Sequence, residues 1–578
     1  MTRDELLSRL NGFEWNDFEC KRDRGGVSED AYKTVSAFAN TAGGWLVFGV
    51  SEKEDRLHVS GVEKPDSVQN DFLTVLRSGQ KLNRIINVKP KKYEIEGKNI
   101  FAFYIPQAER IDKPVYLGGD LRESYIRRGA GDERCTQGEI ERFVRDASQE
   151  RFDSVALSGI PVERCFHLKT VEWYQKRFER HNSGHPEITD PIEFLLNWNF
   201  IAEDDDGMRP TRAGVLLFGE GRYVRQILPR PVLDYQRIDT AFERWSVEQR
   251  WNDRSVFEEN IFQTWQGLVA LYMRIAEHPF SLDPATLRRN DDPPDFVAFR
   301  EAAINMLIHQ DYGDHCRKAS VRLFTDRTIF WNPGDAFSTV AELLDPTEKE
   351  LRNPSIVKAF RRIGLSDQAG TGIRTIFRNW HELGRVPPQL QNDKARKEFN
   401  LVLLNAPLTT EAMKRFHSVI DVELTQEQAD VLALALGREH DERISLTDIR
   451  GLGMSTIKQA REVADALIDL RLLQPVGETL FEPPAALREQ FSQMLDQSTP
   501  QVAPQVLVLL AKVSGEATRQ ELLVALGLRD RKHFGDTYLQ PALEAGLLEM
   551  TIPDKPNSRN QRYRLTDLGR AFLRSDGR

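Results

Sequence analysis

Two glutamates five residues apart, Glu14 and Glu19, stand beside Lys21 in the stretch FEWNDFECK, residues 13–21. A third carboxylate, Glu52, follows the apolar run WLVFGV at 45–50. Three acids around one divalent ion would lower the pKa of a bound water and neutralise phosphodiester charge. A neighbouring lysine would stabilise a pentavalent transition state. This is the chemistry of a metal-dependent nuclease. A spacing of five does not put Glu14 and Glu19 on one helix face, so a strand or bent strand must present them. Glu52 must then arrive from a second segment, at a strand edge where loops carry function. Read without chemistry, the same residues are solvated acids in a chain with 88 Asp and Glu.

A second set lies in REAAINMLIHQDY. Glu301, Asn305 and His309 are spaced by four and stack on one helix face. A glutamate that orients water and an asparagine that ligates magnesium through its amide oxygen suit nucleotide hydrolysis. The plain alternative is an amphipathic helix with Ala302, Ile304, Leu307 and Ile308 facing a core. Two glycine turns accompany the helix. NPGD, 332–335, closes an apolar strand; GTG, Gly370, Thr371 and Gly372, opens a helix whose bare amides can hold phosphate. His309 and His315 do not make a zinc site, because no cysteine has the spacing to complete four ligands. No GxxxxGK[ST] motif occurs, which argues against a helicase motor.

The elements that must position these residues read as an α+β multidomain chain. Hydrophobic residues make up 40% and charged residues 29%, the balance of a soluble globular protein, and 578 residues suggest several domains. The net charge of −9 confines any nucleic-acid contact to local basic patches. No apolar run is long enough for a transmembrane helix. The polar start MTRDELLSRLNG lacks the apolar core of a signal peptide. Four widely spaced cysteines fit a reducing compartment, so a cytoplasmic location is the expectation.

Five pieces are expected. Residues 1–150 alternate strands and helices. SEDAYKTVSAFANTAGG is a helix capped by Ser28 and stopped by Gly43 and Gly44. SYIRRG is a short strand whose Arg127 and Arg128 are candidate nucleic-acid contacts. Residues 151–285 form a mixed connecting domain without evident chemistry, in which RPTRAGVLLFGEG reads as a buried strand. Residues 286–410 alternate helices and strands as an α/β sandwich. Residues 420–492 and 499–578 each read as helices followed by a hairpin, and are candidate distant copies of one unit. In the last piece TRQELLVALGLRDRKHF reads as a helix-turn-helix carrying Arg529, Arg531 and Lys532. SRNQRYRLTDLGR reads as a two-stranded wing carrying Arg559 and Arg562. Over 551–578 seven Lys and Arg face three Asp and Glu.

Longer patterns add resemblances. FEWNDFECK, SAFANTAGGWLVFGVSE and KPVYLGGDLRESYIRRGAGDERCTQGEI together resemble the Schlafen AlbA-type domain over about residues 10–148. That resemblance implies a ribonuclease site for structured RNA such as tRNA, with Mg or Mn on Glu14, Glu19 and Glu52. The family's third acid is an aspartate, and Glu52 stands in its place. REAAINMLIHQDY, NPGD, RNPSI and GTGIRTI resemble a divergent GHKL-type ATPase module over about 295–395. It implies ATP as cofactor, Glu301 as water-activating base and Asn305 as magnesium ligand. Asn332 and Gly334 would contact adenine, and Gly370, Thr371 and Gly372 the phosphates. Both terminal pieces resemble winged helices, the last of a kind shared with some Fic-type proteins.

Two functions stay open at this point, the first favoured and the second its alternative. One is an ATP-gated, metal-dependent endonuclease on RNA or single-stranded nucleic acid, with phage defence as the family habit. The other is an ATP-sensing DNA-binding transcriptional regulator. A single AlbA-type copy suggests a homodimer or higher oligomer.

Overall fold

The computed structural model describes residues 1–578 apart from 11–15, 23–25, 54–55, 150, 186–187, 206, 247, 276–292, 346, 348, 367–370, 421, 440–441, 478, 499–503, 514, 529, 553–557, 559–560, 567, 571–572 and 574–578. The chain forms two compact units, 1–409 with 425–482, and 410–424 with 483–578. Among the described residues no helix is long and apolar enough to cross a membrane.

The first unit begins with strands β1 (Phe18–Lys21), β2 (Gly44–Phe48), β3 (Val50–Lys53), β4 (Arg56–Val59), β5 (Lys89–Ile95) and β6 (Lys98–Ile105). Four of them make a sheet in the order β1-β2-β6-β5, with β1 parallel to β2 and the other pairs antiparallel. Strand alternation decides the two faces. Leu46, Phe48, Phe101 and Phe103 pack on the helices Glu29–Asn40 and Pro65–Ser78. Phe18, Val47, Ile100 and Ala102 join Leu6, Leu10 and Val50 on the opposite face. Glu19 and Lys21 alternate with Phe18 and Cys20, so they belong to the helix side.

The hairpin β7 (Tyr125–Arg128) and β8 (Gly131–Arg134) leads to the helix Gln137–Ala147, which begins in a Thr136–Glu139 capping box. The middle segment is helical, with a small hairpin of β9 (Ile201–Asp204) and β10 (Gly207–Pro210). Its core stacks Tyr174, Phe200, Phe218 and Phe262. The expectation of a buried strand at 209–221 is corrected here. Arg212–Phe218 is a helix whose N-cap Thr211 accepts from the Gly214 amide. Every residue from Ala213 to Phe218 is buried, so no polar face betrays the helical period.

A six-stranded sheet follows, in the order β12-β11-β13-β14-β16-β15. Its strands are β11 (Leu233–Arg237), β12 (Asp253–Phe257), β13 (Ala319–Leu323), β14 (Arg327–Pro333), β15 (Gln389–Asp393) and β16 (Glu398–Leu404). β11 and β13 are parallel and the remaining neighbours antiparallel. The helices Ile261–Ile275, Pro294–His309 and Gly372–Glu382 share one core with this sheet. The expected boundary at 285/286 therefore cuts through one sheet. β11 and β12 belong with the sandwich, which a crossover in sequence concealed.

Each terminal piece has the same element order. In the first it is helix Gln426–Leu436, β17 (Ile444–Ser445), helices Leu446–Arg450 and Ile457–Asp469, then β18 (Gln474–Pro475) and β19 (Leu480–Glu482). In the second it is helix Pro504–Leu510, β20 (Ala517–Thr518), helix Arg519–Ala525 and the helical run Arg531–Phe534 to Gln540–Glu544. The strands β21 (Leu548–Met550) and β22 (Arg562–Leu565) complete it. Their sheets match as well, β17-β19-β18 and β20-β22-β21. The expected two-stranded wing within 558–570 supplies only β22; its partner is β21. The first piece lies in the first unit. The helix Ala485–Ser498 belongs to the second, against Glu411–Val419 through Phe416 and Phe491, so 420–492 is not one domain.

Candidate nucleotide pocket and carboxylate cluster

Glu19 is 6% exposed and both its oxygens are engaged. Lys21 Nζ donates to Oε1 at 2.6 Å and Arg127 Nη2 to Oε2 at 2.7 Å. Lys21 also pairs with Asp30 at 2.8 Å. Burial works against the Lys21 charge, but the bonds to Asp30 and Glu19 outweigh it and raise its pKa. Arg127 continues to Asp132 at 2.9 Å, and Asp132 accepts from Thr34. Burial pushes the Asp132 carboxyl up, with Thr34 and Arg127 pulling against it.

The AFANTAGG stretch builds this arrangement. Asn40 donates to the carbonyls of Val115 and Tyr125 and accepts from the Val115 amide at 2.7 Å. Ser36 Oγ donates to the Val115 carbonyl, and Thr41 Oγ1 accepts from the Arg127 amide at 2.9 Å. These bonds dock β7 onto the helix end and aim Arg127 at Glu19. Gly43 has φ +78°, and a Cβ there would lie 2.8 Å from the Ile105 carbonyl oxygen. The long motif is thus, in large part, a folding device.

One expectation changes and another stays open. Arg127 is 1% exposed and lies over the Phe38 ring, so it cannot reach a nucleic acid as expected. Successive strand residues face opposite ways, and Arg128 is the outward one, paired with Glu133 and Glu139. The expected three-acid metal cluster is described only in part. Glu52 is exposed on the β3–β4 hairpin, and Glu14 lies outside the described residues. Among the described residues no group of three or more His, Cys, Asp or Glu could hold a metal ion. Each Glu19 oxygen accepts one hydrogen bond, from Lys21 or Arg127.

The central residues do converge. The helix Pro294–His309 buries nine side chains, and Glu301, Asn305 and His309 form its half-buried stripe. They line a cavity of about 140 Å³ together with Asn332, Gly334 and Gly372. Met306, Phe330, Phe399 and Leu401 give it apolar walls. Gly370 lies outside the described residues; Thr371 is the N-cap of the helix Gly372–Glu382. A Cβ on Gly372 would meet Asn305 Nδ2 at 2.9 Å, so a larger residue there would displace the Asn305 amide. Asn305 Nδ2 is buried with no hydrogen-bond partner. Asn332 turns its amide to the Pro333 and Gly334 carbonyls, and Gly334 has φ +99°.

Charged groups around the cavity set its field. His309 is held neutral, its pKa lowered to about 4 by burial and then by Arg352 and Arg361. Asp335 would be raised by burial, but Lys397, Arg352, Lys394 and Lys113 bring it down to about 2. Lys394 falls to about 8, through burial that Asp335 offsets only in part. The signal for Asp335 was its place directly after the NPG turn, and that for Arg352 the RNPSI segment. An adjoining cavity of about 480 Å³ shares Asp335, Phe337, Ser338, Lys349 and Glu350 with the first. The first alone is smaller than the ~300–1,000 Å³ of ordinary small-ligand sites, and the connected pair reaches that range.

In the second unit Arg531 and Lys532 are exposed at a helix start capped by Asp530, and Arg562 is exposed on β22. Arg529 and Arg559 lie outside the described residues.

Comparison with known proteins agrees with this layout. Residues 14–136 match the family model Schlafen, AlbA_2. Residues 317–403 match the model named Putative ATP-dependent DNA helicase recG C-terminal. Residues 504–566 match Filamentation induced by cAMP protein Fic-like, C-terminal domain, and 141–234 match a domain of unknown function, DUF8451. No curated protein matches the chain. Among solved structures, the DIP2311 protein of Corynebacterium diphtheriae is 19% identical, with 93% of this chain and 90% of that one covered and a TM-score of 0.37. The N-terminal domain of a RecG-related protein from Nitrosomonas europaea is 27% identical over 24% of this chain and 95% of its own, with a TM-score of 0.17. A Fic family protein from Desulfovibrio desulfuricans is 19% identical over 37% of this chain and 68% of its own, with a TM-score of 0.12. The chain joins a Schlafen AlbA_2 domain, a recG-type ATPase-like domain and a Fic-like C-terminal domain.

Proposed function

We propose that this protein is an adenine-nucleotide-binding regulator that grips nucleic acid, with the nucleotide held in the central pocket. The observation that carries the reading is Asn305. Its buried Nδ2 lacks a partner beside a glycine that leaves room for one, and an unsatisfied buried donor costs about 1–3 kcal/mol unless a ligand meets it. In this reading Asn305 Nδ2 would donate to an acceptor oxygen of a bound ATP while its amide oxygen held the magnesium, and Glu301 would orient water. Gly372 and Thr371 would offer helix-start amides to phosphate. The apolar walls suit a base.

The terminal pieces are read as winged helices. Their shared order of helix, strand, two helices and hairpin supports this. In the second piece the exposed Arg531, Lys532 and Arg562 are the groove and phosphate contacts. Mg-ATP should raise the melting temperature of the wild type and leave Asn305→Ala unmoved. An unmoved wild type at saturating Mg-ATP would end the nucleotide reading.

The nuclease remains a second reading, supported by the match that spans Glu14 and Glu19. It requires Glu19 to exchange Lys21 and Arg127 for a metal. Incubation with structured RNA and Mn or Mg tests it: cleavage by the wild type that Glu19→Ala loses would restore the enzyme, and intact RNA would leave the regulator.

A further inference from the structure

Three cations line the nucleotide cavity, and two are committed. Lys349 donates to the carbonyls of Asp345 and Thr347. Arg352 pairs with Asp146 at 2.8 Å and Asp335 at 3.2 Å. Arg361, in the last turn of the helix Pro354–Arg362, makes neither hydrogen bond nor ion pair among the described residues. It is half-buried, and its Nε is wholly buried without a partner. The neighbouring Arg362 shows the ordinary outcome, lying on the Trp198 ring and bonded to the Trp198 carbonyl. A half-buried guanidinium without an anion is costly, and its rigid fork matches phosphate.

His309 supplies an independent sign of the local field. Beyond burial, Arg352 and Arg361 hold it in the uncharged form. His309 therefore adds no further positive charge, and its neutral ring can donate one hydrogen bond. The favourable placement of a cation at a helix C-terminus explains why arginine is tolerated there. It does not explain why this arginine lines a cavity that Arg352 also lines.

We infer that Arg361 binds an anionic phosphate group of the nucleotide and makes the pocket select phosphorylated ligands over the nucleoside. This rests on the nucleotide reading above. The two can fail separately under calorimetric titration of the full chain with adenosine, ADP and ATP. Arg361→Gln should weaken ATP about tenfold or more while adenosine stays the same, since a charge-assisted bond is lost from the phosphate alone. Arg361→Lys should recover part of the loss. Equal weakening of adenosine and ATP would show that Arg361 only shapes the pocket, and unchanged ATP affinity would exclude any contact; either overturns the assignment. Failure of the wild type to bind all three ligands would overturn the nucleotide reading itself, and Arg361 with it. A melting curve of each variant confirms that it folds.

Discussion

The Glu19 cluster and the Asn305 pocket are built from similar polar residues on similar sandwiches of helix and sheet, yet they end in opposite states. Around Glu19 every charge has found a protein partner: Lys21, Asp30, Arg127, Asp132 and Thr34 close on one another. Around Asn305 one donor stays open: Asn305 Nδ2 is buried without a hydrogen-bond partner. A closed network contributes to stability and specifies the fold. An open one spends stability on something that is to be bound. Motif strength alone would have ranked them the other way, since the longer pattern surrounds Glu19.

Substitutions should separate the two regions. Arg127→Ala strips Asp132 of its cationic partner and leaves Glu19 with Lys21 alone. It should cost about 3–5 kcal/mol in denaturant unfolding, and a loss under about 1 kcal/mol would mean the cluster is open after all. Gly372→Ala should weaken ATP about tenfold by displacing Asn305, with little change in stability; tight ATP binding by this variant would remove Asn305 from the contact.

Acid should act on the pocket through His309. Its folded pKa of about 4 lies below the 6.5 of an unfolded histidine, so the unfolded chain takes the proton first. Stability should therefore drop as pH falls from about 6.5 towards 4, and His309→Gln should flatten that part of the profile. An identical slope in the variant would assign the acid sensitivity elsewhere. The smallest effect belongs to Asn305→Ala, which should raise unfolding stability of the ligand-free protein by about 1 kcal/mol, because an unsatisfied buried donor is removed and no protein bond is lost.

The same contrast marks what sequence could reveal. Glu301, Asn305 and His309 were legible because three polar residues at a spacing of four interrupt an otherwise apolar helix. The helix end at Asn40 was legible through Gly43 and Gly44. The inward turn of Arg127 was not, since two adjacent arginines in a strand must face opposite sides and only the bond from Thr41 decides which one is buried. Arg212–Phe218 was unreadable because burial on all sides erases the helical period. The membership of β11 and β12 in the central sheet was hidden by the long separation in sequence between parallel neighbours. Arg361 looked like any basic residue at a helix end; only its lack of partners in three dimensions sets it apart.

The most direct measurement is calorimetric titration of Mg-ATP into the wild type and Asn305→Ala, with both proteins shown by their melting curves to be folded without ligand. Saturable binding by the wild type, lost or strongly weakened in the variant, is the result expected of an open donor awaiting a nucleotide. No binding by the wild type, or equal binding by both, would contradict it.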